Sequence, residues 1–347
     1  MKSGNYFKLW WLVLPLFLGA CGTTSYQMQL LQPATLTLPR DIKQVGLINR
    51  SLPDKGQGFL NVMEGLITGE SIAADREAST ECLRGLSAGL NNGPRFTAVI
   101  IEGLDLRGTG TRQFPEFLSW QRVEELCSQF RVDALIALET FDSDLALRES
   151  YADVERTIDK KKVVVREYYA EARMNVNSGF TIYQPASQKI IDRNVFTDEM
   201  SWRGTGDSKQ QALANLPSKR RALNESAVFS GHQYASRISP VWITASRDVY
   251  RKANDDFKIA ARYIKQDNWP EAIAIWKRYT KDTDHKIAGR ANYNMAVASE
   301  VEGNLSIAEE WAQRAWREYG LKNARSYIAL LQTRKYELER LKEQMDE

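Results

Sequence analysis

The chain has 347 residues, with 47 Lys and Arg against 44 Asp and Glu, and a mean hydropathy of −0.45. That length supports two domains with a proper core, and the near balance of charge excludes the strong basic excess of a nucleic-acid binder. Two histidines, His232 and His285, stand far apart without further ligands at close spacing, so no metal or cofactor is expected.

Lys2 and Lys8 precede an apolar run from Leu9 to Leu18, then Gly19-Ala20-Cys21. A basic start, a short apolar core and small residues before a cut site read as a secretory signal over residues 1–20. The run is shorter than the roughly 20 residues a membrane-spanning helix needs. Leu18 to Cys21 also reads as a lipobox, in which the Cys21 thiol is acylated because only a soft nucleophilic sulfur forms the thioether readily. Residues 21–27 then form a lipid-anchored tether, and the small polar Gly22-Thr23-Thr24-Ser25, with no acid directly after the cysteine, favours the outer membrane and its periplasmic face.

Residues 28–240 read as one α+β domain. Strands are predicted over 30–38 and 44–49, a short helix over 59–68, and a stronger helix over 72–90, stopped by Asn91-Asn92-Gly93-Pro94. Strand 96–101, helix 115–130 and strand 132–141 follow, an order that allows two crossover units. From Val164 the pattern alternates with period two, with turns at Asn177-Ser178-Gly179 and Pro185-Ala186-Ser187, which describes a meander of half-solvated strands. A helix over 213–238 ends before Ser239-Pro240. The fold class is therefore α+β, an N-terminal mixed/antiparallel sheet with helices on one face. Cys82 and Cys127 both fall on predicted helices of this domain. An oxidising periplasm permits a disulfide between them, and two separate buried thiols are the alternative.

Residues 241–347 read as an all-α helical-repeat domain with a capping helix over 323–345. Ala260, Tyr263, Asp267-Asn268-Trp269, Ala272 and Trp276 recur as Ala296, Ser299, Gly303-Asn304, Ala308 and Ala312, an offset of 36 from 267 to 303. Small residues at matched points let antiparallel helices approach closely, and the polar turn reverses the chain. This pattern resembles the tetratricopeptide repeat, whose usual period is near 34; Asp267 departs from it by replacing the turn glycine. The resemblance implies a concave face for a protein partner, with Tyr263, Trp269, Trp276, Tyr293, Asn294 and Trp311 as candidate binding residues.

Leu18 to Cys21, Val45 to Arg50, Gly93-Pro94-Arg95-Phe96, Asp133-Ala134-Leu135 and Arg237-Ile238-Ser239-Pro240 together resemble an uncharacterised family of Gram-negative envelope lipoproteins. That resemblance implies a lipid-anchored, periplasm-facing protein and implies no activity. No Gly-x-Ser-x-Gly elbow or complete phosphate loop is present. The expectation is a non-catalytic scaffold docking a protein in envelope assembly or transport, without metal or cofactor. The alternative is a glycan-binding or hydrolytic protein using Glu139, Asp142 and Asp144 at a strand end.

Overall fold

The computed structural model describes residues 22–52, 69–104, 106, 108, 109 and 113–345. The leader, Cys21 and the short helix expected over 59–68 lie outside them. In chain order the described residues form β1 (Thr23–Gln32), β2 (Gln44–Asn49), α1 (Gly69–Asn92), β3 (Thr97–Ile100), α2 (Trp120–Phe130), β4 (Ala134–Ile158), β5 (Lys161–Gln184), β6 (Lys189–Gly206), α3 (Lys209–Ala214), α4 (Lys219–Ile238) and β7 (Val241–Tyr250). Helices α5 (Asp255–Lys265), α6 (Trp269–Tyr279), α7 (His285–Val301), α8 (Leu305–Arg317) and α9 (Ala324–Gln344) complete the α+β fold. The chain divides into two units, one of residues 31–243 with 337–347, the other of the residues before 31 with 244–336.

The first unit is built on a five-stranded sheet of order β3-β2-β4-β5-β6. β2 runs parallel to both β3 and β4, with Val45 opposite Ala98 on one side and Ala134 on the other. The path from β2 to β3 steps one way, and the path from β3 to β4 steps back past β2. Right-handed crossovers therefore put α1 and α2 on opposite faces. α1 and α4 cover the face of Val45, Leu47, Ala134, Ile136 and Leu138, so the expected placement of the helices on one face holds for these two and fails for α2. α2 covers the other, packing Val123, Leu126 and Cys127 on Ile48, Leu135, Ala137 and Tyr183.

That arrangement answers the disulfide question. Cys82 belongs to the α1 core and Cys127 to the α2 core, with the sheet between them, and both are buried free thiols. A bridge would need Cα atoms within about 7 Å. Burial pushes the Cys127 thiol up to about 12 and raises Cys82 as well.

β4 and β5 pair antiparallel from Leu135 to Ile158, far past the core. Residues 134–141 of β4 are buried, and from Asp144 onward most are exposed. Asp159 and Lys160 reverse the chain with φ of 51° and 61°, the mirror-image turn that matches strand twist in a two-residue hairpin. The turn expected at Asn177-Ser178-Gly179 does not form; β5 runs straight through it to Gln184. Gly179 is needed there for close approach, since a Cβ would sit 2.3 Å from Thr140 Oγ1 and 3.0 Å from the Phe114 ring. Pro185–Ser187 does form the expected turn, as a short 3₁₀ helix. The single helix expected over 213–238 is two, α3 and α4, separated around Pro217, whose ring excludes a continuous helix. Ser218 caps α4 by accepting from the Arg221 amide.

In the second unit β1 and β7 make a two-stranded sheet, which corrects two expectations. Residues 23–27 are strand rather than loose tether, and residues 241–250 are strand rather than the start of the helices. The strand expected over 30–38 lies further back because Pro33, with no N–H, ends β1. Half-buried Tyr26, Met28 and Leu30 alternate with exposed Ser25, Gln27 and Gln29.

The helices of this unit pair as two hairpins, α5 with α6 and α7 with α8. Ala260 and Ala296, Ala272 and Ala308, and Trp276 and Ala312 are all fully buried at matched positions. Their turns share hydrogen bonds at matched positions. Asn268 N–H donates to Tyr263 O and Asn304 N–H to Ser299 O, at 2.9 and 2.8 Å. Asp267 and Gly303 both take positive φ, 56° and 81°, so the departure from glycine at 267 keeps the same backbone.

Candidate functional site

The carboxylates at the expected strand end do not assemble into a site. Glu139 occupies a bulge, where Leu138 opposes Phe180 and Thr140 opposes Gly179. The extra residue re-aims its side chain into the interior, where it is 1% exposed. Arg50 Nη1 donates to both Glu139 oxygens at 3.0 and 2.8 Å, and the Tyr183 hydroxyl donates at 2.8 Å. Burial raises the Glu139 pKa, against the pull of the Arg50 charge. Arg50 Nη2 also donates to Glu116 O at 3.0 Å. This sealed node ties β2, β4 and β5 to the segment before α2. Asp142 and Asp144 ride on the continuing strand opposite Asn177 and Asn175, and Asp144 is exposed. Ser230 is buried, bonded to Ser178 at 2.8 Å and to Asp198 at 2.7 Å, while His232 packs beside Gly89.

Most of the aromatic and amide residues expected to bind a partner are structural. Asn294 is fully buried; its amide accepts from Tyr250 N–H and donates to Tyr250 O, both at 2.8 Å, so it completes β7 as a neighbouring strand would. Tyr293 is buried between Tyr250 and Tyr327, at ring distances of 5.4 and 5.1 Å, and burial pushes its pKa up to about 12. Trp269 meets Tyr26 edge-on at 4.8 Å and donates to Asp267 at 3.2 Å; Trp276 is fully buried. Tyr263 is half-buried and its carbonyl serves the hairpin turn. Beneath them, Arg247 donates to both oxygens of Glu300 at 2.7 and 2.6 Å, all inside the unit.

Trp311 is different. It is half-buried on α8 and lines an open cleft of about 300 Å³ with Thr280, Lys281, Asn292, Arg314 and Tyr319. The Arg314 guanidinium lies 4.7 Å above its ring. Asn292 lines the cleft too and is itself buried. Its Nδ2 donates to Thr280 O at 2.8 Å and Ala288 O at 2.9 Å, and two carbonyl neighbours fix which end of the amide is nitrogen. Its Oδ1 is left buried with no donor among the described residues. An unmet buried acceptor costs about 1–3 kcal/mol. The cleft thus combines a flat aromatic wall with Lys281, Arg314 and Glu318 at the rim. That set suits an apolar or aromatic side chain laid on Trp311, with charged neighbours at its edge. Asn292 is not among the residues expected to bind, although it stands with Ala288, Ala291 and Ala296 on the small-residue face of α7.

A family model described as a domain of unknown function (DUF8603) matches residues 42–250, more than half of the chain. A second, also described as a domain of unknown function (DUF6340), matches residues 258–339. No curated protein matches the chain. Among solved structures, a neuraminyllactose-binding hemagglutinin homolog from Helicobacter pylori is 12% identical with a TM-score of 0.26, covering 59% of this chain and 89% of its own. The PelC dodecamer from Paraburkholderia phytofirmans is 12% identical with a TM-score of 0.23, covering 62% of this chain and 98% of its own.

Proposed function

The chain belongs to the family of the DUF8603 domain, whose description names no activity, and we propose that it is a non-catalytic, lipid-anchored protein of a Gram-negative-type envelope. In this reading Cys21 carries the acyl chains, the protein faces the periplasm from the outer membrane, and its tetratricopeptide-like helices hold an extended segment of a partner protein. The observation that carries it is the open cleft at half-buried Trp311, with the Arg314 guanidinium over its ring and Lys281 and Glu318 beside it. Trp311 is the kind of anchor on which binding energy concentrates. Glu139 is committed to Arg50 and Tyr183, which takes that carboxylate out of the alternative reading.

The test is affinity capture from cross-linked envelopes with the native chain beside Trp311→Ala and Lys281→Glu. Truncating a hot-spot aromatic costs about 2 kcal/mol or more, roughly thirtyfold in affinity. A defined protein set captured by the native chain and lost from both folded variants supports the proposal. The same set in all three samples sinks it.

A further inference from the structure

Where β7 ends, the first described residue of the chain is pinned. The Arg251 and Lys252 amides both donate to the Gly22 carbonyl, at 2.9 and 3.2 Å, so residue 21 joins the fold one peptide bond away. Beside this point lies a cleft of about 340 Å³ lined by Thr23, Thr24, Arg251, Lys258, Arg262 and Lys265. Lys258, Arg262 and Lys265 follow one another at four and three residues along α5, which sets them on one face. All four cations are exposed. Lys258 pairs with Asp255 at 2.8 Å; among the described residues no carboxylate pairs with Arg251, Arg262 or Lys265. Arg262 and Lys265 also complement the C-terminal dipole of α5, a role that leaves their charged heads in solvent.

Four exposed cations and two threonines around one concavity, with no carboxylate in its lining, suit an anion with several oxygens. We propose that this cleft is a membrane-facing site for the phosphate groups of anionic phospholipids in the leaflet that carries the anchor. The position of the membrane rests on the lipid-anchor reading of Cys21; the charge complementarity does not. The chain leading to the anchor enters the fold at this cleft, so acyl chains on Cys21 would bring the headgroups to these cations without any rearrangement. A basic patch added to an acyl anchor is the two-signal arrangement that makes membrane attachment stable.

The experiment uses the chain from residue 22 onward, so that no acyl group contributes. It is sedimented with vesicles of phosphatidylcholine alone and of phosphatidylcholine with phosphatidylglycerol. Each basic residue near an anionic surface is worth about fivefold in partitioning, so Arg251→Glu, Arg262→Glu and Lys265→Glu together should weaken binding to the mixed vesicles by about a hundredfold or more. Binding that requires phosphatidylglycerol, falls with salt, and disappears in a triple variant with an unchanged melting temperature supports the site. Equal binding to neutral vesicles, no binding to either kind, or unchanged binding by the triple variant overturns it. Incorporation of labelled palmitate into the native chain, compared with Cys21→Ala, tests the anchor separately. Vesicle binding without acylation would leave the cleft standing and remove the anchor, and acylation without vesicle binding would do the reverse.

Discussion

The sharpest stability prediction concerns Gly231. A methyl group on this α4 residue would sit 2.0 Å from the Cys82 carbonyl oxygen and 2.6 Å from the Leu86 amide nitrogen of α1. Gly85 reciprocates, since its Cβ would lie 2.2 Å from the Val228 carbonyl oxygen. The obstacles are backbone atoms, so no change of rotamer relieves them. Carbon and carbonyl oxygen come no closer than about 3.3 Å in weak contacts, and Gly231→Ala therefore drives the helices apart by about 1 Å. A gap of that size forfeits a quarter to a half of the attraction across each affected contact. Helix propensity works the other way, favouring alanine by about 1 kcal/mol. Overpacking of a close-fitted interior costs about 1–3 kcal/mol and more where backbone must move, about 3–4 kcal/mol with backbone atoms obstructing on both helices, which leaves a net loss of about 2–3 kcal/mol. For a domain of this size that lowers the melting temperature by about 4–12 °C. Thermal and urea unfolding followed by circular dichroism would measure it. Gly289→Ala is the control, because its Cβ would meet a side-chain atom, Tyr319 Cβ, at 3.1 Å. If Gly231→Ala melts at or above the parent while the control behaves as expected, the close α1–α4 packing is refuted.

Four further outcomes are expected. Arg50→Met leaves Glu139 buried without its cation and should cost about 3–5 kcal/mol, while adding Glu139→Gln to it should restore much of the loss in a urea double-mutant cycle. In a Cys21→Ala background, Cys82 and Cys127 should resist a thiol reagent until the chain is unfolded and then react as two thiols, since both are buried with raised pKa values; a fast-reacting native thiol would contradict their placement. Hydrogen bonds from Lys335 and Gln332 lower the Glu309 pKa, so its contribution is present above the ordinary carboxylate range and lost as pH falls through the depressed value. Glu309→Gln should therefore flatten the acid limb of the helical unit's stability profile. Gly303→Ala meets no atom within 4 Å, so its cost should be that of the left-handed backbone alone, about 1–2 kcal/mol, read from the urea midpoint.

Local pattern carried much of the architecture. Apolar runs and period-two alternation located the core strands, Asn91 to Pro94 marked the end of α1, and the offset of 36 located both helix hairpins, down to the equivalence of Asp267 and Gly303. These features depend on neighbours in sequence, so the sequence determines them. The alternation of Tyr26, Met28 and Leu30 was equally legible, although the glycine and hydroxyl residues before it read as a tether. What tertiary structure decided were the relations between distant segments. The strand order sent α1 and α2 to opposite faces, which separated Cys82 from Cys127. A one-residue bulge turned Glu139 inward onto Arg50, removing a carboxylate that composition alone had made available. Asn294 is consumed in completing β7 while Asn292, two residues away, keeps an unmet acceptor beside Trp311. Side chains on one helix share their local propensities. Their hydrogen-bond partners come from whichever segment the fold brings opposite, and that is set by the packing of the whole unit.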